Sequence, residues 1–117
     1  MQQAQLETLR AFGVDVEATI ARFGGNEALL MRFLTGFSND KTMQSLRDAV
    51  AAGDLEAMKV AAHSLKGLTG NLGLTPLFNA SSELMNALRQ GEINTDALYQ
   101  RVCAEYDNTL IMLAALA

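Results

Sequence analysis

Glycines divide this chain into helix-sized pieces. Gly13, Gly24-Gly25, Gly53, Gly73 and Gly91 each stand where an apolar periodicity stops, as glycines that terminate helices do. Between them no run alternates β-branched and polar residues, and one Pro, no Trp and two Tyr among 117 residues leave little material for a sheet. The expected fold class is all-α. Asp15, Asn26, Asp54 and Thr95 can accept hydrogen bonds from the free amides of a first turn, and Thr75-Pro76 places proline where its missing N–H costs nothing. These signals predict short helices over 2–11 and 15–23 and bundle-length helices over 26–52, 54–72, 76–90 and 95–116.

The long helices carry matching stripes. Leu77, Ala80, Leu84, Ala87 and Leu88 share one side of the fifth helix, and Tyr99, Val102, Tyr106, Leu110 and Leu113 share one side of the sixth. Short connections force successive long helices to run antiparallel, so the predicted architecture is an up-and-down antiparallel four-helix bundle with the two short N-terminal helices as caps. The third helix does not fit as one straight piece. Leu29, Phe33 and Phe37 define one stripe, but Met43, Leu46 and Val50 lie well round the wheel at about 100° per residue. A bend or break is expected at Ser38-Asn39-Asp40, the weakest helix-forming stretch. With no repeat, low-complexity tract or linker, residues 1–117 read as one domain, large enough to bury a core without metal or disulfide.

Charge narrows the partners. The net charge of -4 and the absence of clustered Lys and Arg argue against nucleic acid and anionic lipid. The longest apolar stretch, Leu110 to Ala117, is far too short to span a bilayer, and the N-terminus lacks a secretory signal, so a cytoplasmic location is expected. The lone cysteine, Cys103, cannot form an internal disulfide and reads as a small buried hydrophobe.

One titratable residue stands apart. With Leu65 at zero on a helical wheel, Met58, Ala61, Leu68, Thr69 and Leu72 fall on the same core face, while His63 lies at roughly 160°. The only histidine therefore points outward, with Glu56, Lys59, Val60, Lys66, Gly67 and Gly70 on the same outer face. Each interior glycine costs about 1 kcal/mol relative to alanine, which asks for a reason. Fraying or helix packing are the structural reasons; the functional one is clearance for another protein's surface near the imidazole. A lysine one turn away would stabilise a dianionic group on the ring and discourage its protonation. The ordinary alternative is that these lysines only solvate the face. One His and one distant Cys do not make a metal site, and the glycines of 67–73 lie at a helix end rather than between strand and helix, which excludes a nucleotide loop.

The run His63-Ser64-Leu65-Lys66-Gly67-Leu68-Thr69-Gly70-Asn71-Leu72-Gly73 closely resembles the signature of histidine-containing phosphotransfer (HPt) domains. Gly13-Val14-Asp15, Ala21-Arg22-Phe23-Gly24-Gly25-Asn26 and Ala52-Gly53-Asp54 also resemble that family, so the likeness covers roughly residues 12 to 92. The resemblance implies a phosphorelay intermediate that takes a phosphoryl group on His63 from the aspartate of one receiver domain and hands it to another. It implies Lys66 as the cation beside the phosphate, and Gly67 as the small residue that lets the receiver dock. Glu56, Lys59, Val60 and Gly70 complete the expected docking face. The family is not one of kinases: no cofactor or metal is expected on this chain, and magnesium is expected to come with the receiver. The partners implied are receiver domains of response regulators or hybrid histidine kinases, met by a monomer. Many relatives place a glutamate where this chain has Met85, which reads as structural tuning. The competing reading is a non-catalytic helical adaptor, which the retention of both His63 and Lys66 disfavours.

Overall fold

The computed structural model describes residues 1–116. It contains α1 (Gln3–Ala11), α2 (Val16–Arg22), α3 (Glu27–Gly36), α4 (Thr42–Ala52), α5 (Leu55–Asn71), α6 (Thr75–Arg89) and α7 (Asp96–Leu116), and no strand among the described residues. Three of the expected caps form: the carboxylates of Asp15 and Asp54 and the amide oxygen of Asn26 accept from the N–H groups of Ala18, Ala57 and Leu29 at 3.3, 3.1 and 2.9 Å. The start of α6 differs. Its N-cap is Leu74, without a side-chain cap, and the Thr75 hydroxyl turns back to donate to the Gly73 carbonyl at 3.3 Å.

The expected helix over 26–52 is two helices. After Gly36 the chain makes a single 3-10 turn over Phe37–Asn39, and Asp40 is extended. The reason is register. Leu34 and Met43 would stand about 180° apart on an unbroken helix, yet both are fully or almost fully buried. The turn resets the wheel so that Leu30 and Leu34 of α3 and Met43, Leu46 and Ala49 of α4 all face the core. Asp40 then stabilises the new start by accepting from the Thr42 N–H at 2.8 Å. Of the expected α3 stripe, Phe37 is buried, but Leu30 and Leu34 take the core face in place of Leu29 and Phe33. Phe33 is 51% exposed, with its ring centroid 5.6 Å from that of Phe23, the residue that follows α2.

The bundle closes through α4, α5, α6 and α7, each packed on the next. Leu65, Leu77, Leu84 and Val102 have no exposed surface at all, and Leu9 from α1 joins the same core. The ring is completed by Tyr106 of α7, whose centroid lies 5.8 Å from that of Phe37 and 5.2 Å from the Arg47 guanidinium carbon. Cys103 is half-buried against the core rather than sealed within it. Beside it, burial pushes the Tyr99 phenol above its usual pKa.

The N-terminal segment braces the end of the bundle where α5 turns into α6. Val14 pairs with Leu74 in an isolated β-bridge, and the Arg22 guanidinium donates to the Asn71 carbonyl at 3.3 Å and to the Thr19 hydroxyl at 3.0 Å. Because that turn sets how α6 lies on α5, the brace also fixes the surface shared by the two helices.

Candidate functional site

The outer face of α5 is built by its inner one. Met58, Ala61, Ala62, Leu65 and Thr69 are buried, so residues about half a turn away must face out. His63 and Ser64 are exposed, and Val60 is 67% exposed, which puts an aliphatic side chain beside the imidazole on the open face. With Ala62 before it and Leu65 after it both wholly enclosed, the backbone that carries His63 is held on both sides along the helix.

His63 lines an open cavity of about 290 Å³ between α5 and α6 with Lys59, Val60, Ser64, Met85 and Arg89. Met85 is 5% exposed and forms part of the apolar floor, while Arg89 stands in the last turn of α6. Lys59 is shared with Glu56, its ammonium 3.2 Å from the carboxylate. Arg89 brings the one guanidinium of that cavity, whose forked geometry suits phosphate oxygens.

The expected site residues fall into three groups. Lys59, Val60 and His63 share the cavity, and Glu56 reaches it through Lys59. Lys66 is half-buried one turn beyond His63 and does not line that cavity. The two glycines separate. A Cβ at Gly67 would meet nothing within 4 Å, whereas a Cβ at Gly70 would lie 3.0 Å from the Phe78 ring of α6. The space at Gly67 is open; at Gly70 the reason for glycine is helix packing, because α6 crosses there closely enough for a ring to fill the missing side chain. The expectation that Gly70 faces open space is corrected accordingly.

Arg89 and Met85 are the residues that sequence reasoning did not single out for the site. They are one turn apart on α6 and so share a face, but nothing in their spacing says that this face meets His63. Only the rotation of α6 against α5 does.

Gly67 and Gly70 yield a stability test. Gly67→Ala adds helix propensity without a clash and should raise stability by about 0.5–1 kcal/mol, seen as a higher urea midpoint. Gly70→Ala gains the same propensity but must displace the Phe78 ring, so its midpoint should stay at or below that of the unaltered protein. Equal gains at both positions would contradict the packing assigned to Gly70.

Among the described residues, no three His, Cys, Asp or Glu side chains gather as a resident metal would require, and no helix is long and apolar enough to cross a membrane. His63 is a single exposed imidazole on a rigid helix, and Lys59 and Arg89 line its cavity. The family model of the Hpt domain matches residues 33–115, and the chain belongs to that family. The match begins within α3 and takes in nearly all of α7, so it extends beyond the signature into the last helix of the bundle. No curated protein and no solved structure matches the chain significantly. Hpt domains are phosphocarrier modules with a role in phosphotransfer within two-component signalling, where the family interacts with receiver domains.

Proposed function

We propose that this protein is a phosphorelay intermediate in which His63 accepts a phosphoryl group from the aspartate of a receiver domain and passes it to another. The observation that carries this reading is the exposed His63 imidazole, in one open cavity with Lys59 and Arg89, on a helix whose other face is locked in the core. A lone-pair nitrogen of the neutral ring attacks the phosphorus of the aspartyl phosphate in line. The P–N bond forms as the P–O bond breaks, and the electron pair of that bond leaves with the aspartate carboxylate. The return step reverses this toward a second receiver. Magnesium enters with the receiver. The part of this chain is positioning: it holds the nucleophile still and exposed and offers cations to the oxygens whose charge spreads during transfer.

Arg89 acts in this reading beside Lys66, which the family resemblance assigns to the phosphate. Because Arg89 lines the cavity of His63 and Lys66 does not, Arg89→Ala should slow transfer from a phosphorylated receiver by about tenfold or more, and by more than Lys66→Ala does. Arg89 is exposed at a helix end, so its loss should leave the melting temperature nearly unchanged.

The test of the function is transfer of label. A receiver domain carrying a radiolabelled aspartyl phosphate is mixed with this chain, and the label that moves should survive alkali and be lost in acid, as a phosphoramidate is. No transfer from any receiver tried, or a label stable to acid, would overturn the proposal and leave a helical adaptor.

A further inference from the structure

A second and larger depression adjoins the site on its other side. Between α4 and α5 lies an open groove of about 660 Å³, its floor made by Ala57, Val60 and Ala61 and its rim by Asp40, Asp54 and Glu56. Val60 and Ser64 line both this groove and the cavity of His63, so the two depressions form one continuous face divided by a ridge of α5. The charges sort by side. Lys59 and Arg89 stand with His63 toward α6, three carboxylates stand toward α4 with Lys41 as the only cation among them, and the Glu56–Lys59 ion pair crosses the seam.

The carboxylates do not converge on a common point. Asp40 caps Thr42, Asp54 caps Ala57, and Glu56 holds Lys59, each engaged on its own element. That arrangement suits an extended protein surface rather than a bound cation. Resting on the phosphotransfer reading above, we infer that the α4–α5 groove receives a basic segment of the receiver, one that sets an apolar side chain on the Ala57–Val60–Ala61 floor between Lys or Arg residues facing the rim. The chemistry requires opposite signs on the two sides of the partner. Its aspartyl phosphate is anionic and must sit over His63 and Arg89; the part that then overhangs α4 meets Asp40, Asp54 and Glu56, where a second anionic patch would be repelled. A docking face with two signs accepts the receiver in one orientation, which brings the phosphorus into line with the imidazole instead of leaving that to chance encounter.

The experiment uses the intact chain with Asp40→Asn and Asp54→Asn combined, which leaves the Glu56–Lys59 pair beside His63 in place. Asn keeps an acceptor for the Thr42 N–H at one position and the Ala57 N–H at the other, and both positions are exposed, so the fold is retained and circular dichroism checks it. The initial rate of label transfer is measured against concentration of the phosphorylated receiver. At about 50 mM salt the KM of the double variant should rise about fivefold with little change in the rate at saturation, and the difference should shrink to nothing at about 500 mM salt, where surface charges are screened. A KM and salt dependence equal to those of the unaltered chain would overturn the groove assignment while leaving phosphotransfer standing. Titrating the unlabelled receiver into ¹⁵N-labelled chain separates the two readings independently. Amide shifts at Ser45, Ala57 and Ala61 together with those around His63 support the groove. Shifts confined to the α5–α6 side overturn it, and the absence of both shifts and label overturns the phosphotransfer reading along with it.

Discussion

His63→Gln should take up no phosphoryl label while melting within about 2 °C of the unaltered protein. Glutamine keeps the approximate reach and polarity of the imidazole but has no nitrogen lone pair that can attack phosphorus, since its amide nitrogen is delocalised into the carbonyl. Stability should hold because the ring is exposed and the core beneath it is made by Leu65, Ala62 and Leu72, which the substitution does not touch. The two measurements work as a pair. Label lost with an unchanged melt assigns the chemistry to the side chain; label retained on the variant would mean that another group is phosphorylated, and the assignment of His63 would fall. Label lost together with a large drop in melting temperature would instead show that His63 supports the bundle, against its exposure in the structure.

The second large effect lies at the turn between α5 and α6. Gly73→Ala should lower stability by about 3 kcal/mol or more, enough to reduce the melting temperature by more than about 10 °C in a domain of this size. Two costs act together. Gly73 has a φ of +70°, in the left-handed region that side chains disfavour, and a Cβ there would lie 1.9 Å from the Thr19 hydroxyl oxygen. That oxygen cannot simply move. Thr19 is fully buried, its hydroxyl donates to the Asp15 carbonyl at 2.6 Å, and it accepts from Arg22 at 3.0 Å. The turn itself is pinned by the Leu74 N–H, which donates to the Thr69 carbonyl at 2.9 Å. Either α2 or the α5–α6 turn must therefore give way. Thr19→Ala removes the blocking oxygen, so the double variant should recover part of the loss but not the cost of the backbone conformation. A Gly73→Ala protein that melts like the original would show that the N-terminal brace is not packed on this turn. The effect should reach the site as well: a displaced turn alters how α6 lies on α5, and the cavity holding His63 and Arg89 is formed by nothing else.

This dependence explains what could be read without coordinates and what could not. The outward direction of His63 is legible because a helix has a fixed angular step and the apolar residues of α5 are numerous enough to define its inner face. The caps Asp15, Asn26 and Asp54 are legible because they act within four residues of themselves. The break between α3 and α4 is legible as a conflict of stripes, since the side of a single helix that carries Leu29, Phe33 and Phe37 cannot also carry Met43, Leu46 and Val50. Phe33 shows the limit of that reasoning: it sits at the right spacing for the core, yet the turn after α2 offers Phe23 as a partner and half of its surface stays in solvent.

Local rules, then, determined from the chain itself that this is a helical bundle with one exposed histidine, because periodicity, capping and the conformational freedom of glycine are properties of neighbouring residues. Tertiary structure alone decided that Arg89 and Met85 stand beside His63, that Gly70 makes room for Phe78 while Gly67 faces open space, and that an acidic groove borders the cationic one. Each of these depends on the rotation and offset of one helix against another. That offset is set by the interlocking of many side chains across the core, and no single segment of sequence contains it.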